Sequence, residues 1–149
     1  MTIAAFLNAP HTGHNEQLIV DALRQAGALT VSLVAVAQGS VIGHVAVSPV
    51  SISDGAAAWY GLGPISVIPE HQSKGVGSRL MRAAIRALND REAAGCVVLG
   101  EPAYYGRFGF RADPALVLAG VPSEYFQALK LRPSGARGMV VYHPAFVEG

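Results

Sequence analysis

Near Val76 the chain changes its hydrophobic period, and that change restricts the fold more than any other feature of the sequence. Residues 30–37, 41–48 and 59–68 are rich in β-branched and apolar side chains and read as strands. From Val76 onward, apolar residues recur at Leu80, Ala84 and Leu88, joined by Met81 and Ile85. That is the one-faced pattern of an amphipathic helix, and it ends near Asn89. A strand therefore delivers the chain into a short loop, and the loop opens a helix. Residues 96–99 then read as a short buried strand. Antiparallel hairpins followed by one β–α–β crossover predict an α+β fold with a mixed, largely antiparallel sheet.

Punctuation supports this order. Gln38-Gly39-Ser40 marks a hairpin turn, Pro49 ends or bulges the second strand, and Asp54-Gly55 makes the next turn. Gly61, Gly63 and Pro64 lie inside the third strand and predict a bulge or a close backbone approach. A helix is expected over residues 15–26, capped by Asn15 and stopped by Gly27. A short helix is expected from Pro102, stopping at Gly109. Residues 117–121 read as a strand, 123–129 as helical, and 139–142 as a closing strand. No repeat or linker divides the chain, so residues 1–149 are expected to form a single domain.

Composition excludes several classes. Hydrophobic residues make up 51% and charged residues 14% of the 149, whereas about a quarter is charged in an ordinary domain. Even so, no stretch approaches the ~18 apolar residues of a membrane span, because Asp54, Glu70, Lys74 and Arg79 interrupt the middle. Residues 1–10 lack a basic segment ahead of their apolar run, so no signal peptide is expected. One cysteine, Cys96, excludes a disulfide scaffold. The net charge of +1, from 11 basic and 10 acidic residues, speaks against a nucleic-acid partner. The expectation is a compact cytoplasmic domain.

The chemistry concentrates in the loop between the third strand and the helix. Gly75 and Gly77 carry no Cβ, so a ligand can lie against the backbone there. The amides from Ser73 to Ser78 are first-turn donors at the positive end of the helix dipole. Such a nest suits a pyrophosphate, with Lys74 as a mobile counter-charge. The P-loop pattern is absent, since no Gly-Lys pair occurs. The dinucleotide fingerprint fails because Leu80 stands where its third glycine belongs. The glycines could equally do no more than shape the helix start.

Val67-x4-Gln72-x-x-Gly75-x-Gly77 resembles the acetyl-CoA pyrophosphate loop of the GNAT N-acetyltransferase superfamily. Tyr104-Tyr105-Gly106-Arg107-Phe108-Gly109-Phe110 is similar to the family's F-Y-x-x-x-G-F signature after the fifth strand. Leu33-Val34-Ala35 followed by Val41-Ile42-Gly43-His44 matches the family's early hairpin, and residues 62–67 with 104–110 resemble its YhbS-type branch. The likeness runs from about Asn15 to Phe110 and, more loosely, to Phe146.

The resemblance implies a GNAT-like acyl-CoA N-acyltransferase fold with acetyl-CoA as co-substrate and no metal. It implies that the strand around Ile65, Val67 and Ile68 splays from the strand at 96–99, leaving a wedge for pantetheine. The pyrophosphate would then rest on Gln72, Ser73, Lys74, Gly75, Val76, Gly77 and Ser78. An amine attacks the thioester directly in such enzymes, so no protein nucleophile is needed and Cys96 is left as a core residue. Tyr105 has the spacing of the family's general acid and would touch the cofactor. Its alternative role is to form an aromatic wedge with Tyr104, Phe108 and Phe110, and Tyr104 is expected only to pack. Many relatives carry a glutamate on the third strand, but here that segment reads Tyr60-Gly61-Leu62-Gly63. Glu101 is the expected substitute base, with His44, Glu70 or a water chain as alternatives.

His11-Thr12-Gly13-His14 lacks further ligands and reads as loop. Arg79, Arg82 and Arg86 read as a solvated helix face, with Arg79 within reach of the phosphates. The acceptor is expected to be the primary amine of a small molecule or peptide, met by residues 8–15, 48–58 and 113–137. A different class of function is a non-catalytic acyl-CoA-binding sensor, which the missing strand carboxylate supports. A toxin acting on charged tRNA is a third, and the near-neutral charge argues against it. Residues 139–142 and Phe146 are expected to pair or pack across a homodimer.

Overall fold

The computed structural model describes residues 2–5, 30–72 and 74–142. The helix expected over residues 15–26, the His11 and His14 pair, Ser73 and Phe146 lie outside them. The main sheet has seven strands in the order β1 (Thr2–Ala5), β2 (Val31–Ala37), β3 (Ser40–Pro49), β5 (Trp59–Val67), β6 (Gly95–Leu99), β9 (Phe126–Lys130) and β7 (Arg111–Ala112). Its neighbours run antiparallel except β5 and β6, which are parallel and joined by α1 (Val76–Asp90). A smaller sheet orders β4 (Ser51–Ile52), β10 (Gly138–Val141) and β8 (Leu116–Val117). The helix α2 (Pro102–Tyr105) runs into a 3-10 turn at Gly106–Phe108. The mixed, mostly antiparallel α+β sheet with one crossover is therefore present. Among the described residues no helix is long and apolar enough to cross a membrane.

Local chemistry explains the two best-formed units. The β2–β3 hairpin closes on Gln38 and Gly39, both left-handed at φ 52° and 78°. That backbone matches the right-handed twist of the flanking strands. Helix α1 buries Val76, Leu80, Met81, Ala84 and Leu88 against the sheet, and complete burial of one such leucine contributes about 2 kcal/mol. The helix ends in a Schellman motif: Ala93 N–H donates to Leu88 at 3.1 Å and Glu92 N–H to Asn89 at 3.0 Å. The left-handed position is taken by Glu92, at φ 60°, where glycine is usual.

Strand β5 positions the site. Val45 and Val47 of β3 face Ile65 and Leu62, so β5 carries one extra residue, a bulge at Gly63-Pro64 where Gly63 has φ 143°. Gly61 serves instead as a close approach, since a Cβ there would lie 2.7 Å from the Tyr142 ring. Pairing with β6 covers only Trp59, Tyr60 and Gly61, opposite Gly95, Cys96 and Val97. Beyond Gly61 the two strands part, and β6 continues along β9 to its end.

The sheet carries a core on each face. Leu80 and Met81 of α1 pack with Val45, Val47, Cys96 and Val98 on one side. On the other, Trp59 packs with Ile52, Val97, Phe126 and Val140. Residues 123–129, expected to be helical, are instead a 3-10 turn at Ser123–Tyr125 followed by strand β9. Phe126 and Ala128 face the second core, Leu129 faces the first, and Gln127 is buried between them. A strand buried on both faces shows no alternation, so its sequence carries no period to read. Strand β10 pairs with β4 on one edge and β8 on the other, while Met139 and Val141 stay exposed.

Candidate active site

Where β5 leaves β6, its end, the start of α1 and α2 enclose a cavity of about 390 Å³. Ile65, Ser66 and Val67 form the strand wall. The helix wall is Gln72, Gly75, Gly77 and Ser78, and the third wall is Tyr104 with Arg107.

The helix wall is built for an anion. Gly75 occupies the cap position at φ 83°, and among the described residues no side-chain hydrogen bond caps α1. The first-turn amides thus lack a protein acceptor within the helix, at the positive end of its dipole. Nothing lies within 4 Å of the place where a Gly75 Cβ would stand, so the space beside it is open. Gln72 folds back to donate from Nε2 to the Val67 carbonyl at 2.9 Å, fastening the loop to the end of β5. Of the expected cofactor residues, Ile65, Val67, Gln72, Gly75, Gly77 and Ser78 line the cavity. Val76 is buried in the core, Ile68 packs against that core, and Lys74 is exposed away from the lining.

The third wall was not fully anticipated. A Cβ on Gly77 would lie 2.9 Å from the Tyr104 hydroxyl, so Tyr104 crosses the cavity to the helix start rather than merely packing. Arg107 donates from Nε to the Tyr104 carbonyl at 3.3 Å and from Nη2 to Ser78 Oγ at 3.1 Å. Its guanidinium also stands 4.5 Å from the centre of the Tyr104 ring. This places a permanent cation among the phosphate-type donors. The sequence signal was only an arginine set among aromatics, and its partner Ser78 is 29 residues away.

Tyr105 is half-buried outside that lining. Its ring lies so close over Gly100 that a Cβ there would collide with it. The rings of Tyr104 and Phe110 meet it edge-on at 5.0 and 6.2 Å. Burial first, and then the Tyr104 phenol, raise the Tyr105 hydroxyl above its ordinary value of 10.0. Near neutral pH it is protonated and can donate.

Glu101, at the N-terminus of α2, is exposed and makes no capping hydrogen bond with its side chain. His44 is buried on β3, opposite the cavity residue Ser66, with Nε2 2.9 Å from Ser32 Oγ. Glu70 is exposed in the 3-10 turn Pro69–His71. No carboxylate lines the cavity among the described residues. Burial pushes the Cys96 thiol up to about 12, which leaves it an inert core group. No group of three or more possible metal ligands occurs among the described residues.

The site is thus a parallel strand pair that opens over a glycine-capped helix start. The profile of the acetyltransferase (GNAT) domain matches residues 29–112, and the chain belongs to that family of N-acetyltransferases. It is 35% identical over 152 aligned residues to the uncharacterized N-acetyltransferase YhbS of Escherichia coli K12, covering 97% of this chain and 90% of that one. A GNAT family acetyltransferase from Brucella melitensis, solved in complex with acetyl-CoA, is 46% identical with a TM-score of 0.78. That match covers 91% of this chain and 80% of the other. The crystal structure of Escherichia coli YhbS in complex with CoA is 34% identical with a TM-score of 0.84, covering 89% and 78%.

Proposed function

We propose that this enzyme transfers the acetyl group of acetyl-CoA to the primary amine of a small molecule or peptide, within a ternary complex and without a covalent enzyme intermediate. The observation that carries the proposal is the parting of β5 from β6 directly over the open start of α1. A pantetheine arm lies in that gap along Ile65 and Val67, and the pyrophosphate rests on the amides that follow Gly75. The complexes of the Brucella and Escherichia relatives with acetyl-CoA and CoA support the choice of ligand.

The amine nitrogen attacks the thioester carbonyl carbon, the carbon–sulfur bond breaks, and the sulfur leaves as thiolate. Tyr105, protonated and fixed by its packing on Gly100, supplies the proton to that sulfur. Glu101 is the assigned base for the ammonium proton. Its exposed carboxylate is separated from Tyr105 by one helical turn and is free of a capping role. Delivery of that proton to solvent water is the alternative.

The direct test is thermal. Acetyl-CoA at high micromolar concentration should raise the melting temperature, and Gly75→Glu should abolish the rise by placing a carboxylate in the anion nest. An unchanged melting curve for the wild type would refute the assignment. One observation favours a second reading, a sensor that binds acyl-CoA without turnover: no carboxylate lines the cavity among the described residues. Release of free thiol in the presence of a panel of amines separates the two, because a sensor gives none.

A further inference from the structure

Gln127 is 2% exposed on β9, flanked by Val98 of β6 and Ala112 of β7. A carboxamide costs free energy in such a place unless it is hydrogen-bonded, whereas a methionine of similar volume would fill it without that cost. The amide donates from Nε2 to the Gly100 carbonyl at 3.1 Å. That carbonyl needs a donor because the β6–β9 ladder changes at its end. Gly95 to Leu99 pair with Lys130 to Phe126, which sets Gly100 opposite Tyr125. Gly100 N–H donates to the Tyr125 carbonyl at 2.9 Å, as an antiparallel ladder requires. The Tyr125 N–H that would return the bond donates instead to the Pro122 carbonyl at 3.0 Å, within the turn Ser123–Tyr125. Gln127 supplies the donor that the turn has withdrawn, so Gly100 is held at both its amide and its carbonyl.

Gly100 is also the surface on which Tyr105 rests, since a Cβ there would collide with the tyrosine ring. Its neighbour Glu101 accepts the first bonds of α2: the N–H groups of Tyr104 and Tyr105 both donate to the Glu101 carbonyl at 3.1 Å. Whatever fixes Gly100 therefore fixes both the support under the Tyr105 ring and the start of the helix that carries it. We propose that Gln127 is a positioning residue for acetyl transfer, acting through Gly100 to hold the Tyr105 phenol toward the departing sulfur. The proposal rests on the general-acid reading of Tyr105. Gln127 does not line the cavity, so its influence on the reaction passes through Tyr105.

The test is a double-mutant cycle on the full chain, read as free-thiol release from acetyl-CoA across a panel of amines. Gln127→Met should lower kcat about tenfold and leave KM for acetyl-CoA within about twofold, because the ring shifts while the cavity walls stay. In the Tyr105→Phe background no phenolic proton remains to be aimed, and the same substitution should change kcat by less than about twofold. Gly100→Ala displaces the ring with the Gln127 amide in place, and it should repeat this pattern even if Gln127→Met does not fold. Melting curves establish which variants are folded. An equal kcat loss in both backgrounds, an unchanged kcat in a folded variant, or a rise in KM alone overturns the proposal. Wild-type turnover in Tyr105→Phe overturns it as well and places the failure in the general-acid reading. Wild-type protein that releases no thiol with any amine also overturns it, and places the failure in the transferase reading.

Discussion

Strand β5 behaves as two different structures along its nine residues. Its first part, from Trp59 to Gly61, is hydrogen-bonded to β6 and packed without space. Trp59 is 1% exposed, and a Cβ on Gly95 would lie 2.6 Å from its indole. Its second part, beyond the Gly63-Pro64 bulge, has lost β6 and faces the cavity through Ile65, Ser66 and Val67. Glycine works in opposite ways in the two parts. Gly61 and Gly95 admit neighbouring rings, whereas Gly63 redirects the strand and Gly75 leaves room for a ligand. The closed part supplies stability and the open part supplies the site, so damage to each should register in a different measurement.

The largest effect should come from the closed part. Trp59→Ala should cost about 4 kcal/mol of unfolding free energy in urea denaturation, the usual price of truncating a buried tryptophan. In the open region, Tyr105→Phe should lower turnover about a hundredfold with any amine that supports it, while KM for acetyl-CoA stays within about twofold. Because burial raises the Tyr105 hydroxyl above its ordinary value, it stays protonated near neutral pH, and loss of this proton should not reduce the rate there.

Gly77→Ala should act on binding instead. Its methyl group meets the Tyr104 hydroxyl at 2.9 Å, and KM for acetyl-CoA should rise about tenfold with little change in melting temperature. The smallest effect concerns Cys96, the partner of Tyr60 in the closed part. Its thiol titrates near 9.0 in an ordinary setting and at about 12 when folded, so the unfolded chain loses that proton first. Stability should therefore fall as pH rises through this window, by about 1 kcal/mol near pH 10, and Cys96→Ala should remove that part of the decline.

How much of this was legible depended on whether the chemistry lies within one segment. Helix α1, the Gln38-Gly39 turn and the Gly63-Pro64 bulge follow from local period and backbone geometry, and the sequence shows them. The glycine side of the cavity is one continuous run that acts through main-chain amides, so it could be read as well. Tyr104 and Arg107 were visible as residues but not in their roles, because their contacts with Gly77 and Ser78 arise only when α2 folds onto α1. Strand β9 was hidden by burial on both faces. Strands β4, β7 and β8 have two residues each, too few to establish a period.

The account turns on the open part of β5 and the uncapped start of α1 forming one acetyl-CoA site, and amide hydrogen exchange with and without acetyl-CoA tests this most directly. Addition of the ligand should slow exchange at Val76, Gly77 and Ser78 and along Ser66 and Val67, while Trp59, Tyr60 and Gly61 stay as they were. Protection confined to β8 and β10, or no protection at the start of α1 when acetyl-CoA is bound, would contradict it.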